Sequence, residues 1–338
     1  MGGSSSASDG TAIGDLAELM QPGEWAELQT TGLDAAIGNT GGASDHILTY
    51  SQEGKWNPGT RQLFFIGGDH FGGPQRFIHY SAATNSWVVE PRPPWMPSTD
   101  NPNHSYDYQA IDPANGIYFY DLNRYEITTK TWTQLTEAGL PNFSRAHRAD
   151  EYFVGLGLVR HGDGGAYVLK EGASSWNTLA PQGTLKQAAG GLHPVSEYNT
   201  VHNLLIFGAG DSNDQLYKMD VSESITPLLP MPPIEIGAQS FAGILTVDPV
   251  TGDYLVITVD AQFWQYDVVR DAWTQLSASV PHIAEHSAST KTDSLIASPI
   301  STYGVVMVVQ WRDSGSKVWL YKHEQQVRPA APSGLIVQ

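Results

Sequence analysis

The sequence predicts an all-β protein made of repeated hairpins. The stretch 121–135 (DLNRYEITTKTWTQL) contains two strand-like segments around a polar turn, and the second segment carries Trp132 and Leu135. The turn residues and the alternating β-branched and aromatic flanks are hairpin signals. The same unit returns every 44 to 49 residues, at 78–91, 166–179, 216–229 and 263–276. A repeat of this period is typical of the four-stranded blades of a β-propeller.

An aromatic anchor marks the last strand of each copy. The anchors are Trp87, Trp132, Trp176, Ile225 and Trp273. The final repeat, at 294–324, offers only three strands, whereas the isolated segment 23–30 has Trp25 and Leu28 at the anchor spacing without a preceding blade. We therefore expect the N-terminal strand to complete the last blade, which closes the ring and removes an exposed edge. The six predicted blades span roughly 42–92, 104–137, 147–182, 190–232, 238–278, and 286–324 with 23–30.

The ends of the chain lie outside the repeats. Residues 1–22 form a Gly/Ser-rich tail with a short helix predicted at 12–20, residues 23–326 form the propeller, and residues 327–338 are a Pro/Ala linker and tail. This tail resembles the linker and first strand of a fibronectin type III domain that then stops. Such a strand favours docking to a partner in a larger homo- or hetero-assembly.

Composition excludes several classes of function. The 18 basic and 35 acidic residues give a net charge of −17, which disfavours nucleic acid and anionic membranes as partners. There are no cysteines, so disulfides and thiolate metal sites are excluded. The start of the chain lacks the features of a signal peptide, and no apolar run is long enough for membrane insertion. No cofactor is predicted, because no phosphate loop or G-x-S-x-G elbow is present.

The glycine doublet of LFFIGGDH (63–70), its degenerate copy LIFGAGD (205–211) and the spaced aromatics resemble the kelch family. The resemblance implies a kelch-like β-propeller, a fold that carries many unrelated activities. The segments HSYDYQAIDPANGIYFY (104–120) and GGDHFGGPQ (67–75) look like bacterial and phage kelch-repeat proteins, and are similar in style to propeller polysaccharide lyases. Another activity found on kelch-like propellers, that of galactose oxidase, requires a cofactor made from a linked cysteine and tyrosine. This chain has no cysteine, so that chemistry is excluded.

Histidines recur where the innermost strand of a blade begins. Five of the six predicted blades have one there: His46, His104, His147, His193 and His286. The turns between the second and third strands carry aspartates and project from the same face. Each residue taken singly has a structural interpretation, because histidines are often satisfied in cores and aspartates often form turns. Their convergence around the channel mouth nevertheless predicts a binding or catalytic face.

Three chemistries suit that face. In the first, a glycan stacks on aromatic rings and bonds to polar groups; the predicted binding residues are His70, Phe71, Tyr108, Arg145, His193 and His286. In the second, a polysaccharide lyase abstracts a proton next to a carboxylate, a reaction that needs a base and an arginine; the candidate catalytic residues are His104, Tyr106, His147 and Arg148. In the third, histidines bind a metal, but their spacings match no compact motif, so no metal is predicted.

The sequence thus favours a non-catalytic propeller that binds a glycan or a protein partner, with the lyase as the alternative. A chain without a leader but with an assembly-like tail suits a surface component of a phage virion, where it would serve host attachment. A virion or another extracellular assembly is the expected location, and the cytoplasm is the location otherwise.

Overall fold

The computed structural model describes residues 9–38, 46–68, 75–95, 105–143, 148–186, 192–210, 215–237, 243–258, 261–277, 280, 295–312 and 314–324. Within these residues the strands form six four-stranded antiparallel sheets, and in five of them the strands follow the chain from the inner to the outer strand. The predicted six-bladed β-propeller is confirmed.

The first three blades are consecutive in the chain. Blade 1 comprises β2 (Lys55–Asn57), β3 (Gln62–Gly67), β4 (Arg76–Ser81) and β5 (Ser86–Glu90). Blade 2 comprises β6 (Gln109–Asp112), β7 (Ile117–Tyr120), β8 (Asn123–Glu126) and β9 (Thr131–Gln134). Blade 3 comprises β10 (Arg148–Phe153), β11 (Gly157–Gly162), β12 (Gly165–Leu169) and β13 (Asn177–Ala180).

The other three blades complete the ring. Blade 4 comprises β14 (Val195–Asn199), β15 (Leu204–Gly208), β16 (Leu216–Met219) and β17 (Ile225–Pro227). Blade 5 comprises β18 (Ile244–Val247), β19 (Tyr254–Ile257), β20 (Phe263–Asp267) and β21 (Ala272–Gln275). Blade 6 comprises β22 (Leu295–Ile300), β23 (Val305–Gln310) and β24 (Lys317–Lys322), with β1 (Glu24–Glu27) as its outer strand.

The N-terminal strand closes the ring as predicted. β1 pairs antiparallel with β24, so that Trp25 lies opposite Tyr321. The Trp25 ring packs on Tyr321 at 4.7 Å and on Phe263 of blade 5 at 5.6 Å between centroids. The backbone N–H of Leu28 extends the pairing by donating to the Val318 carbonyl at 2.8 Å. The first and last parts of the described chain therefore share one sheet.

The recurring tryptophans join four of the six blades to the blade before them. In four blades the indole N–H donates to an oxygen just after the outer strand of the preceding blade. The four bonds run from Trp87 to Thr30 Oγ1 (3.2 Å), from Trp132 to the Pro91 carbonyl (2.9 Å), from Trp176 to the Thr136 carbonyl (2.9 Å) and from Trp273 to the Pro230 carbonyl (3.1 Å). Ile225 occupies this place in blade 4 and has no N–H to donate. The tryptophans whose repeat identifies the fold thus also form contacts between blades.

Within the described ranges, two helices lie outside the blades. α1 (Ala12–Leu19) confirms the predicted short helix, with the Thr11 side chain accepting from the Gly14 N–H at its start. α2 (Leu33–Ile37) follows the closing strand and buries Leu33 and Ile37. Among the described residues, no helix is long and apolar enough to span a membrane.

Substitution of Trp87 tests the seam between blade 1 and the closing strand. Trp87 is buried, packs on Tyr80 and donates to Thr30. We expect Trp87→Ala to lower the free energy of unfolding by about 3–5 kcal/mol, the usual cost of removing a large buried ring. The exposed Trp95 is the matched control, and Trp95→Ala should cost much less. Equal losses in urea titrations of both variants would contradict this role of Trp87.

The burial of His161 predicts that the free energy of unfolding depends on pH. The ring is buried between blades 3 and 4, where Nε2 donates to the Val195 carbonyl at 3.1 Å and Phe207 lies 4.8 Å away. Burial lowers the pKa of His161 to about 3, whereas the unfolded side chain titrates near 6.5. As the pH falls, the unfolded state therefore takes up a proton at a higher pH than the folded state does. Acidification from about pH 6.5 towards 3 thus lowers the free energy of unfolding. His161→Gln should reduce this slope in urea titrations, and an unchanged slope would contradict the assignment.

Candidate functional site

A cavity of about 270 Å³ lies at the centre of the ring. It opens on the face formed by the turns that join the innermost strand to the second strand. Every blade contributes one such turn to the lining, through Pro58, Pro113, Val154, Val201, Pro249 and Ser301. The ring itself therefore builds the cavity, and no single insertion provides it.

The walls and rim of the cavity are largely apolar. Trp56, Ile111, Tyr152, Tyr198 and Val247 line the walls. At the rim, two consecutive blades place a valine in the same turn, and Val154 and Val201 are 41% and 45% exposed. Exposed apolar groups clustered around an opening are typical of a binding surface.

The floor of the cavity carries charged groups on the innermost strands. Carboxylate oxygens of Glu53, Glu151 and Glu197 lie within 4.8 Å of one another, and all three residues are buried. The Lys55 ammonium lies among them, 2.6 Å from Glu151 Oε2 and in contact with Glu53. Asp107 is also buried nearby, where its carboxylate accepts from the Ser196 N–H. The cavity therefore joins apolar walls to an acidic floor.

The carboxyl groups of the floor hold protons more tightly than they would in water. Burial raises the pKa of Glu53 well above its usual range, and the nearby Glu197 and Glu151 charges add to this effect. Burial likewise raises the pKa of Glu197 to about 8 and that of Asp107 well above its usual value. The pKa of Lys55 is raised by Glu151 and Glu53, which outweigh the opposing effect of burial. Groups with such displaced pKa values inside a cavity are typical of functional sites.

Several polar atoms of the floor have no hydrogen-bond partner in the described part of the chain. They include Oγ of Ser298, which lines the same cavity, and Oε2 of Glu53 and of Glu197, whose carboxyl groups are close enough to share a proton. Buried polar atoms of folded proteins are nearly always satisfied by protein, water or a ligand. The floor can therefore accept further bonds from a bound group.

The predicted residues lie at the opposite end of the innermost strands. Tyr106 and His193 are brought together there, with ring centroids 5.1 Å apart, and Tyr50 stacks on His193 at 5.8 Å. The Arg148 guanidinium lies over the Tyr108 ring at 4.6 Å and bonds to Asp121 at 2.8 Å.

The backbone of this cluster is unusual. Tyr50, Tyr106 and His193 have φ angles of 49°, 41° and 61°, a region that side-chain-bearing residues rarely adopt. Backbone of this kind often occurs at functional sites. His46, the first histidine of the predicted series, instead lies buried against Trp311 at 4.4 Å.

Six of the predicted site residues lie outside the described residues, and their roles stay predictions. They are His70, Phe71, His104, Arg145, His147 and His286.

Sequence reasoning missed the floor of the cavity. Its signal was present as charged residues on the innermost strands, which are mostly buried. These residues are Glu53 just before β2, Lys55 in β2, Glu151 in β10 and Glu197 in β14. Such residues are rarely buried unless they are paired, so charges on innermost strands indicate a shared polar centre. Finding it requires knowing which strand is innermost in every blade.

No protein-family model matches the chain, and no curated protein matches it. Among solved structures, the chain is similar to a structural genomics protein of unknown function from Bacteroides thetaiotaomicron. The two are 9% identical, with a TM-score of 0.53, over 89% of this chain and 72% of that protein. At this identity the likeness shows the fold alone.

Substitution of Lys55 tests the charge balance of the floor. Removing one partner from a buried ion cluster costs about 3–5 kcal/mol, because the remaining charges lose their compensation. We expect Lys55→Met to lower the free energy of unfolding by this amount. Lys130, whose side chain is 61% exposed and pairs with Glu90, is the matched control, and Lys130→Met should cost less than about 1 kcal/mol. A Lys55→Met protein as stable as the wild type in urea would contradict the described cluster.

Proposed function

We propose that this protein is a non-catalytic binding module whose central cavity binds a neutral or amino-sugar glycan. One observation carries the proposal: ring-bearing apolar walls stand directly above buried carboxylates that have unused hydrogen-bonding capacity. The β-propeller fold is consistent with a binding module, but the ligand is inferred from the chemistry of this cavity.

The walls and floor match the two kinds of surface that a sugar ring presents. Trp56, Tyr152 and Tyr198 supply rings for the apolar C–H face. The carboxylates of Glu53 and Glu197 can accept hydrogen bonds from hydroxyl groups. At about 270 Å³, the cavity lies near the lower limit of ordinary ligand pockets, about 300 Å³, and so suits the end of a glycan chain rather than its middle.

Charge narrows the class of glycan. The whole chain has a net charge of −17, and the cavity is lined by four carboxyl groups against one ammonium group. A uronate-rich or sulfated glycan would bring further negative charge into this centre, and like charges in close contact are penalised. Neutral sugars avoid the penalty, and a protonated amino sugar would gain from the floor.

The lyase alternative concerns the opposite end of the innermost strands. It is favoured by the contact between Tyr106 and His193 and by the nearby Arg148, which together supply a base and a cation. Arg148 is, however, paired with Asp121. The negative charge of Asp121 offsets the positive charge of Arg148, which a substrate carboxylate would need as its partner. Binding in the central cavity is therefore the better supported proposal.

A pair of valine substitutions in blade 4 tests the binding proposal. Val201 lies at the rim of the cavity, whereas Val221 lies in the turn before the outer strand, and the two are 45% and 52% exposed. In titration calorimetry with a neutral glycan identified on a glycan array, Val201→Asp should weaken binding at least tenfold, about 1.4 kcal/mol. The reason is that an aspartate removes apolar contact and adds a charge to the opening. Val221→Asp should bind like the wild type.

Three results would contradict the proposal. The first is equal binding by both variants, and the second is no binding to any neutral or amino-sugar glycan on the array. The third is the appearance of unsaturated uronate products, detected by their ultraviolet absorbance, when the protein is incubated with uronate polysaccharides. That third result would favour the lyase.

A further inference from the structure

The three glutamates of the cavity floor are close enough together to contact one ion. Their carboxylate oxygens lie within 4.8 Å of one another. Ca²⁺ binds oxygen atoms at about 2.3–2.6 Å, so ligands on opposite sides of the ion are separated by up to about 5 Å. Glu53, Glu151 and Glu197 come from three different blades, and closure of the ring holds them at this spacing.

A serine from a fourth blade supplies an independent indication of a ligand. Ser298 in β22 is 1% exposed, and its Oγ has no hydrogen-bond partner among the described residues. It lines the same cavity as the three glutamates, and its neighbour Ala297 pairs with Glu53 across the boundary between blades. A buried hydroxyl without a partner is costly, and a cation would accept its lone pair.

The floor carries more carboxyl groups than cations, so the excess must be offset either by protons on Glu53, Glu197 and Asp107 or by an added cation. Glu53, Glu151, Glu197 and Asp107 bring four carboxyl groups, and Lys55 brings one positive charge. With all of these groups ionised, the excess is three negative charges. A divalent ion would reduce it to one, and Lys55 could keep its contact with Glu151 at 2.6 Å.

The donor atoms select the kind of ion. The floor offers carboxylate and hydroxyl oxygens, which suit hard cations such as Ca²⁺, Mg²⁺ and Mn²⁺. Mg²⁺ needs near-ideal octahedral geometry and keeps most of its water, whereas Ca²⁺ accepts irregular sets of six to eight oxygens. Four protein residues facing a cavity that admits water fit Ca²⁺ best.

We propose that Glu53, Glu151, Glu197 and Ser298 form a calcium site at the floor of the central cavity. The site is argued from protein atoms and water alone, and two of its ligands, Glu53 and Glu197, are also the acceptors proposed for sugar hydroxyls. It would place a positive centre beneath the cavity, to which neighbouring hydroxyl groups of a sugar could bind.

The test uses the full chain after treatment with a chelator. Titration calorimetry with CaCl₂ should show one site, and Tb³⁺ in place of Ca²⁺ should luminesce on excitation of Trp56, which lines the cavity. Glu197→Gln keeps the shape of the side chain and should weaken Ca²⁺ binding at least about tenfold, since even second-shell changes have effects of that size. Ser298→Ala should weaken it by a smaller factor without changing the charge of the floor. The exposed Glu137 provides the control, and Glu137→Gln should bind Ca²⁺ like the wild type.

Two results would overturn the calcium site. If the wild type shows no binding heat and no change in melting temperature with CaCl₂, protons shared between the carboxyl groups satisfy the floor instead. If Ca²⁺ binds but Glu197→Gln and Ser298→Ala bind it equally well, the ion occupies only the acidic outer surface. Because glycan is absent from this test, its failure would leave the proposed glycan binding untouched.

Discussion

The contact between each blade and its predecessor is the constraint on which this structure depends. A single four-stranded sheet cannot cover both of its faces, so each blade needs a neighbour on either side. The tryptophan at the outer strand fixes the spacing between neighbouring blades through its indole N–H. An example is Trp132, which donates to the Pro91 carbonyl. At the junction between the chain ends, Trp87 bonds to Thr30 and the N-terminal strand fills the place of a missing fourth strand. Closure is therefore achieved by the same contact that repeats around the ring.

The closed ring then determines the chemistry at its centre. Six innermost strands converge there, and most of their side chains are buried. Charged residues on these strands must satisfy one another, which brings Glu53, Lys55, Glu151 and Glu197 together although they are far apart in the sequence. The raised pKa of Glu197, about 8, follows from this burial. The same crowding leaves donor and acceptor positions unused, and these are the basis for both proposed ligands.

The architecture could be predicted from the sequence because it is encoded locally and repeatedly. The period of Trp87, Trp132 and Trp176 defined the blades, and the isolated Trp25 identified the closing strand. The contact between Tyr106 and His193 lies at the strand entries that the blade pattern singled out, but the roles proposed for these residues stay predictions. The carboxylate cluster could not be predicted in this way, since it depends on register and direction across several blades. Histidines recur at one position of the repeat, whereas the glutamates and Ser298 share no such spacing.

A crystal structure of the protein soaked with a neutral oligosaccharide would test the central claim most directly. The account predicts electron density for a sugar ring between Tyr152 and Tyr198, with its hydroxyl groups directed towards Glu53 and Glu197. Density for the sugar beside Tyr106 and His193, with only water in the central cavity, would contradict it.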